Sequence, residues 1–201
     1  AWTNPYNERV WKYNVDIAVA AAKAGFDEIM FDYVRFPTDG DIAAAVFPGT
    51  RERSKNATIA AFLEYARSRL EPLGTRVSAA VFGLTATRDM GIGQRPRQLA
   101  QHLDVIYPMV YPSHFGSGEY SIDDPNAVPG VTVARALRDF RRDLRGRETV
   151  IVPWLQDFSL GRDYTLEDVS AQILAARDAQ TGGFLLWNPN GIYQTKALAG
   201  S

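Results

Sequence analysis

The chain has 201 residues, 46% hydrophobic and 22% charged, and its 22 Lys and Arg against 23 Asp and Glu leave a formal net charge of −1. This is length enough for one sizeable domain spanning 1–201, and the charge balance supplies no overall field for gathering nucleic acid or an anionic membrane. With no cysteine there is no disulfide frame and no thiolate, and His102 and His114 are too few and too scattered for zinc, so no metal or cofactor is expected.

The opening, "AWTNPYNERVW", has neither an initiator Met nor a signal peptide and reads as part of something longer or as a processed form. Its continuation predicts a helix with Val10, Tyr13, Ile17, Ala20, Ala21 and Ala24 on one face, ended by Gly25. "EIMFDYV" (28–34) then reads as a strand with apolar residues on both faces. A second helix carries Ile59, Phe62, Leu63, Ala66 and Leu70 as its stripe. "RVSAAVFG" is the next strand, "RPRQLAQHL" a short helix and "DVIYPMVYP" a third strand. After a long loop, Val133, Leu137, Phe140 and Leu144 mark a helix, and "TVIVPWLQDF" a fourth strand. Thr165 and Asp168 stand at capping-box spacing before another helix, and "GFLLWNP" is the fifth strand. No run approaches the roughly 20 apolar residues of a membrane span.

Strands that are apolar on both faces belong to parallel sheets covered by helices, and strands near 28, 76, 104, 149 and 183 each follow a helix. The class is therefore α/β. No GxGxxG or phosphate-loop motif supports a dinucleotide fold, which leaves a (β/α)8 TIM barrel. Such barrels take about 250 residues, so five strands predict an incomplete one, its first three βα units lying before Ala1. A partner chain or those units would cover the open sheet edges. Pro108 and Pro153, inside proposed strands, are expected at strand entries or bulges.

Barrel sites lie at the carboxyl ends of the strands. Asp32 and Arg35, Tyr111 and His114, Gln156 and Asp157, and Asn188 all stand there, with Trp154 and Trp187 beside the last two. The long loops 35–53, 83–95 and 113–130 fall on the same side, whereas Asp104 precedes its strand and reads as structural. A lone charge in an apolar run costs several kcal/mol unless it has a partner, a solvent-filled cleft or a task. Asp32 thus becomes one of two carboxyls for glycosidic hydrolysis, Asp157 the other. Arg35, Tyr111, His114, Gln156, Trp154, Trp187 and Asn188 would bind the substrate. The plainer alternative for Asp32 and Arg35 is a buried ion pair, and for "NPNG" a turn.

"GFDEIMFDYVRFP", "VFGL", "YPMVYPSHFG", "PWLQDF" and "LLWNP" occur in this order and resemble the glycoside hydrolase domain of many bacterial envelope proteins, a group distantly similar to α-amylase-type barrels. The resemblance spans nearly the whole chain. It implies the fourth to eighth βα units, Asp32 as nucleophile, and an exported, envelope-associated protein acting on a polysaccharide; the cytoplasm stays open on composition alone. One departure is Ala80, where the family's pattern has an acidic residue, so the acid would have to be Asp89, Glu119 or Asp157. The alternatives are a carbohydrate-binding barrel without catalysis, which Ala80 favours, and a small-molecule lyase or isomerase.

Overall fold

Helix and strand alternate along the chain: α1 (Glu8–Lys23), β1 (Glu28–Phe31), α2 (Lys55–Leu70), β2 (Arg76–Phe82), α3 (Pro96–Leu99), β3 (Val105–Met109), α4 (Pro129–Asp143), β4 (Val150–Ile151), β5 (Trp154–Gln156), α5 (Leu166–Asp178) and β6 (Leu185–Trp187). The structure, a computed structural model, describes residues 2–48 and 53–198; 49–52 of the loop after β1 lie outside the described residues. Every strand pair is parallel, in the order β1-β2-β3-β5-β6, with β4 on β3 just before β5. The result is an α/β arc of a barrel, its β1 and β6 edges unpaired among the described residues.

β4 and β5 are one predicted strand broken in two. The Val152 N–H donates to Ile106 O at 3.0 Å and the Val110 N–H to Trp154 O at 3.1 Å. Parallel ladders alternate donors along a strand, so the donor between these two belongs to Pro108, which has none. Pro108 nevertheless stays inside β3, opposite Val81; Pro153 marks the break.

The stripe predicted for α2 is buried throughout, and so are Val133, Leu137, Phe140 and Leu144 on and just after α4. Burying each such side chain contributes about 1.5–3 kcal/mol. Side chains capping the helix starts locate them: Asn7 accepts from Arg9 N–H, Ser54 from Ala57 N–H, and Thr165 and Asp168 cap each other. The face predicted for α1 is wrong. Trp11, Val15 and Ala18 point inward, while Tyr13 and Ile17 are 67% and 54% exposed. The Trp11 ring rotates the helix: its indole N–H donates to Pro5 O at 2.6 Å and it meets Phe62 edge-on at 6.0 Å. Burying a ring of that area outweighs the alanines and Ile17.

Gly93 lies where the loop after β2 passes under α2. Its φ is +87°, and a Cβ there would stand 2.6 Å from the Ile59 side chain and 2.9 Å from Lys55 O. Left-handed strain and overpacking act together, so Gly93→Ala should lower unfolding free energy by about 2–4 kcal/mol in urea titration.

Candidate active site

Side chains two residues apart on a strand face the same way. Met30 and Asp32, Ala80 and Phe82, and Met109 and Tyr111 accordingly line one cleft of about 800 Å³ at the carboxyl ends of the strands, with Trp154 of β5 and Trp187 of β6. Arg35, Asp39, His114 and Phe158 join them from the loops.

Asp32 is not inside a strand, as its apolar neighbours suggest. β1 ends at Phe31, and Asp32 is exposed at the cleft rim. Its Oδ1 accepts the Tyr33 N–H at 2.7 Å, and Tyr33 takes φ +51°. A tyrosine in the left-handed region is strained, and this turn ends the strand pairing.

Arg35 is the buried charge of this segment, and the carboxylate beside it is that of Asp39, at 3.7 Å. The guanidinium donates to Thr38 Oγ1 at 2.9 Å and Phe36 O at 3.2 Å, and lies 4.6 Å from the Trp2 ring and 4.7 Å from the Phe82 ring. Burial pushes it below the ordinary arginine value, while first Asp39 and, more weakly, Asp32 oppose the shift. Arg35 thus lies within the field of both carboxylates.

Gln94 holds the floor. It is 1% exposed; its Oε1 accepts the Phe82 N–H at 3.0 Å and its Nε2 donates to Ala80 O at 3.2 Å and Val34 O at 3.4 Å. Across the cleft, Tyr111, His114 and Phe158 meet edge-on with centroids 5.5–6.1 Å apart. Burial, then the Asp32 charge, raises the Tyr111 phenol well above its usual range, so it stays a donor. Burial lowers His114 below the ordinary imidazole value. Trp154 and Trp187 stand nearly perpendicular, 5.9 Å apart.

Three predicted residues do not line the cleft. Gln156 is fully buried, and its Oε1 accepts from the Ser113 N–H and hydroxyl, which ties down the turn bearing His114. Asn188 donates its amide to Asp157 O and caps its own turn through Asn190 N–H. Asp157 is 3% exposed, and its Oδ2 accepts the Gln194 N–H at 2.9 Å. Of the other proposed acids, Asp89 bonds Gly91 N–H and Asn56, and Glu119 pairs with Arg88 at 2.6 Å; neither lines the cleft. Phe82 and Met30 went unnamed although period two from Ala80 and Asp32 reaches them. Nothing local marks Gln94.

Burial raises the Asp157 carboxyl, against the Gln194 hydrogen bond. A carboxyl raised in the folded state binds more protons folded than unfolded, so its contribution to stability falls as pH rises from about 4. Asp157→Asn keeps an acceptor for Gln194 without the buried charge. Its melting temperature should equal or exceed the wild type's at pH 7, by a few degrees at most, and the gap should close towards pH 4 in a thermal-melt series.

A family described as "Putative glycosyl hydrolase domain" matches residues 1–193. This chain belongs to that family. No curated protein sequence matches it. In fold, this glycosyl hydrolase domain is similar to the spore cortex-lytic enzyme SleL of Bacillus megaterium QM B1551, with a TM-score of 0.64 at 12% identity over 98% of this chain and 53% of that one. The PgaB (BpsB) glycoside hydrolase domain from Bordetella bronchiseptica aligns at 0.66 and 15% identity over 97% and 62%. A Group IV chitinase from Ostrinia furnacalis aligns at 0.61 and 11% over 92% and 68%. The domain thus spans little more than half the length of the first two.

Proposed function

We propose that this domain carries the cleft of a glycoside hydrolase that binds a polysaccharide across the carboxyl ends of its strands and cleaves it with Asp32. One observation carries the reading: Asp32, on its strained turn, shares the cleft with Tyr33, Tyr111, Phe158, Trp154 and Trp187. Rings of this kind stack on the apolar faces of sugars, while the carboxylate is open to the reacting carbon. Asp32 attacks the anomeric carbon or takes the proton of the attacking water. Asp39 is the other carboxylate lining the cleft among the described residues, and it stands beside Arg35 at 3.7 Å; the departing glycosidic oxygen takes its proton from solvent in the open cleft. Tyr111, His114 and Arg35 orient hydroxyls. Asp157 is left with a holding role.

The substrate we infer is an envelope polysaccharide bearing N-acetylated sugars, since the structural neighbours include a spore cortex-lytic enzyme and a chitinase. An exported location accompanies that substrate. Among the described residues no helix is long and apolar enough to cross a membrane. The edges of β1 and β6, unpaired among the described residues, are where further βα units or a partner chain would close the barrel.

The second reading, a barrel that holds glycans without cutting them, is favoured by Ala80 on the cleft floor. The test is reducing-end release from peptidoglycan, chitin oligosaccharides and an α-glucan, alongside calorimetric binding of the same sugars. Release from the N-acetylated substrates supports hydrolysis. Binding without release assigns the holding role, and neither binding nor release removes both.

A further inference from the structure

The net charge of −1 conceals a segregated surface. On the outside of the arc, two hollows of about 770 and 380 Å³ share Arg147. Eight arginines line them against two carboxylates, Asp178 in the larger and Asp143 in the smaller, and no aromatic residue lines either. The larger is walled by Arg138, Arg141, Arg142, Arg145 and Arg147, from α4 and the turn after it. Glu148 lies in that turn but lines neither hollow.

This wall is held in place. Arg97 donates to Asp143 O at 2.7 Å and to Arg145 O at 3.2 Å, which pins the turn, and Gly146 at φ +78° lets it reverse. Arg138 and Arg142 straddle the buried Asp139 carboxylate at 3.8 and 3.3 Å, yet their side chains remain 65% and 64% exposed. Arg145 and Arg147 make no side-chain hydrogen bond or ion pair among the described residues. Four of the eight already face a carboxylate, since Arg138 and Arg142 share Asp139, Arg88 pairs with Glu119 at 2.6 Å and Arg95 with Asp89 at 3.9 Å; the positive charge left over repels itself, and an anion in the hollows would offset it.

We infer that this trough binds an acidic glycan, through carboxylate or phosphodiester groups, as a second site outside the cleft. Guanidinium forks match both anions bidentately, and every basic residue in the lining is an arginine. The lack of ring faces separates the trough from the aromatic cleft and argues against single-stranded nucleic acid, which stacks its bases. The choice of a glycan among polyanions rests on the carbohydrate reading of the cleft. An anchored acidic chain would keep the cleft close to its polymer.

Calorimetric titration with polygalacturonate (carboxylate) and poly(glycerol phosphate) (phosphodiester) tests this, and whichever binds identifies the anion. Binding at 50 mM NaCl should weaken about tenfold or more at 300 mM. Arg145→Gln with Arg147→Gln, which removes no internal contact, should weaken it about tenfold while leaving chitohexaose binding in the cleft unchanged. Asp32→Asn should leave acidic-polymer binding unchanged. No binding of either polymer, an unaltered affinity in the double variant, or equally tight binding of duplex DNA or phosphatidylglycerol vesicles would overturn the inference. Acidic-polymer binding without chitohexaose binding would remove the cleft reading and leave the trough standing.

Discussion

Asp32→Asn should lower polysaccharide cleavage by about 10²–10⁴-fold, the usual contribution of a positioned catalytic carboxyl, while sugar affinity changes by less than about tenfold. The asymmetry follows from the site. Asparagine retains an Oδ1 to accept the Tyr33 N–H, so the strained turn and the ring faces around it persist. What is lost is a negative charge at the reacting carbon, which matters in the transition state more than in the bound complex. Steady-state kinetics on a soluble oligosaccharide should therefore show kcat falling with KM nearly constant. An equal loss in KM with kcat preserved would make Asp32 a binding residue only.

A second large effect is expected at Gln94, in the floor of the cleft. Gln94→Leu conserves much of the volume but strands the Phe82 N–H and the Ala80 and Val34 carbonyls in a site that is 1% exposed. Each unpaired buried group costs about 1–3 kcal/mol, so the variant should lose about 3–5 kcal/mol. With about 2–4 °C per kcal/mol for a chain of this size, melting should fall by roughly 6–20 °C. Gln94→Glu offers a check on the cause. Protonated, it accepts the Phe82 N–H and donates to one of the two carbonyls; ionised, it has no proton to give either. A buried carboxyl held protonated has its folded-state pKa raised, so this variant should gain stability as pH falls. Calorimetric melts from pH 4.5 to 7.5 would reveal the slope, and a flat profile would mean that the hydrogen bonds at Gln94 are not what holds the floor.

Much of the frame was legible from local pattern. The stripe Ile59, Phe62, Leu63, Ala66 and Leu70 lies inward because helical period and apolar content agree along one element. The two-sided apolar strands pair in parallel for the same reason. α1 was misread because alanine-rich faces weigh little against one tryptophan, and only the position of Phe62 decides where that ring goes. Asp32 stands at a strand end, as its place in the chain suggests, but β1 stops at Phe31, three residues short of the run that β-propensity predicts, where Tyr33 takes φ +51°.

The cleft divides the same way. Tyr111, His114, Trp154 and Trp187 meet there because strand order and period two bring them to one mouth. Asp157 and Gln156, equally well placed in the sequence, turn to Gln194 and Ser113 instead. Asp39 enters the cleft because Arg35, buried among Trp2, Tyr33 and Phe82, draws its carboxylate to 3.7 Å.

The order of elements, their parallel pairing and the end of the barrel that bears the cleft follow from residue spacing, because periodicity and propensity act within a single segment. The sharing of one cleft by Asp32 and Asp39, the removal of Asp157 from it, and the gathering of eight arginines on the outer face arise otherwise. They depend on contacts between segments distant in the chain, where hydrogen-bond geometry and burial compete and composition carries no trace of the outcome.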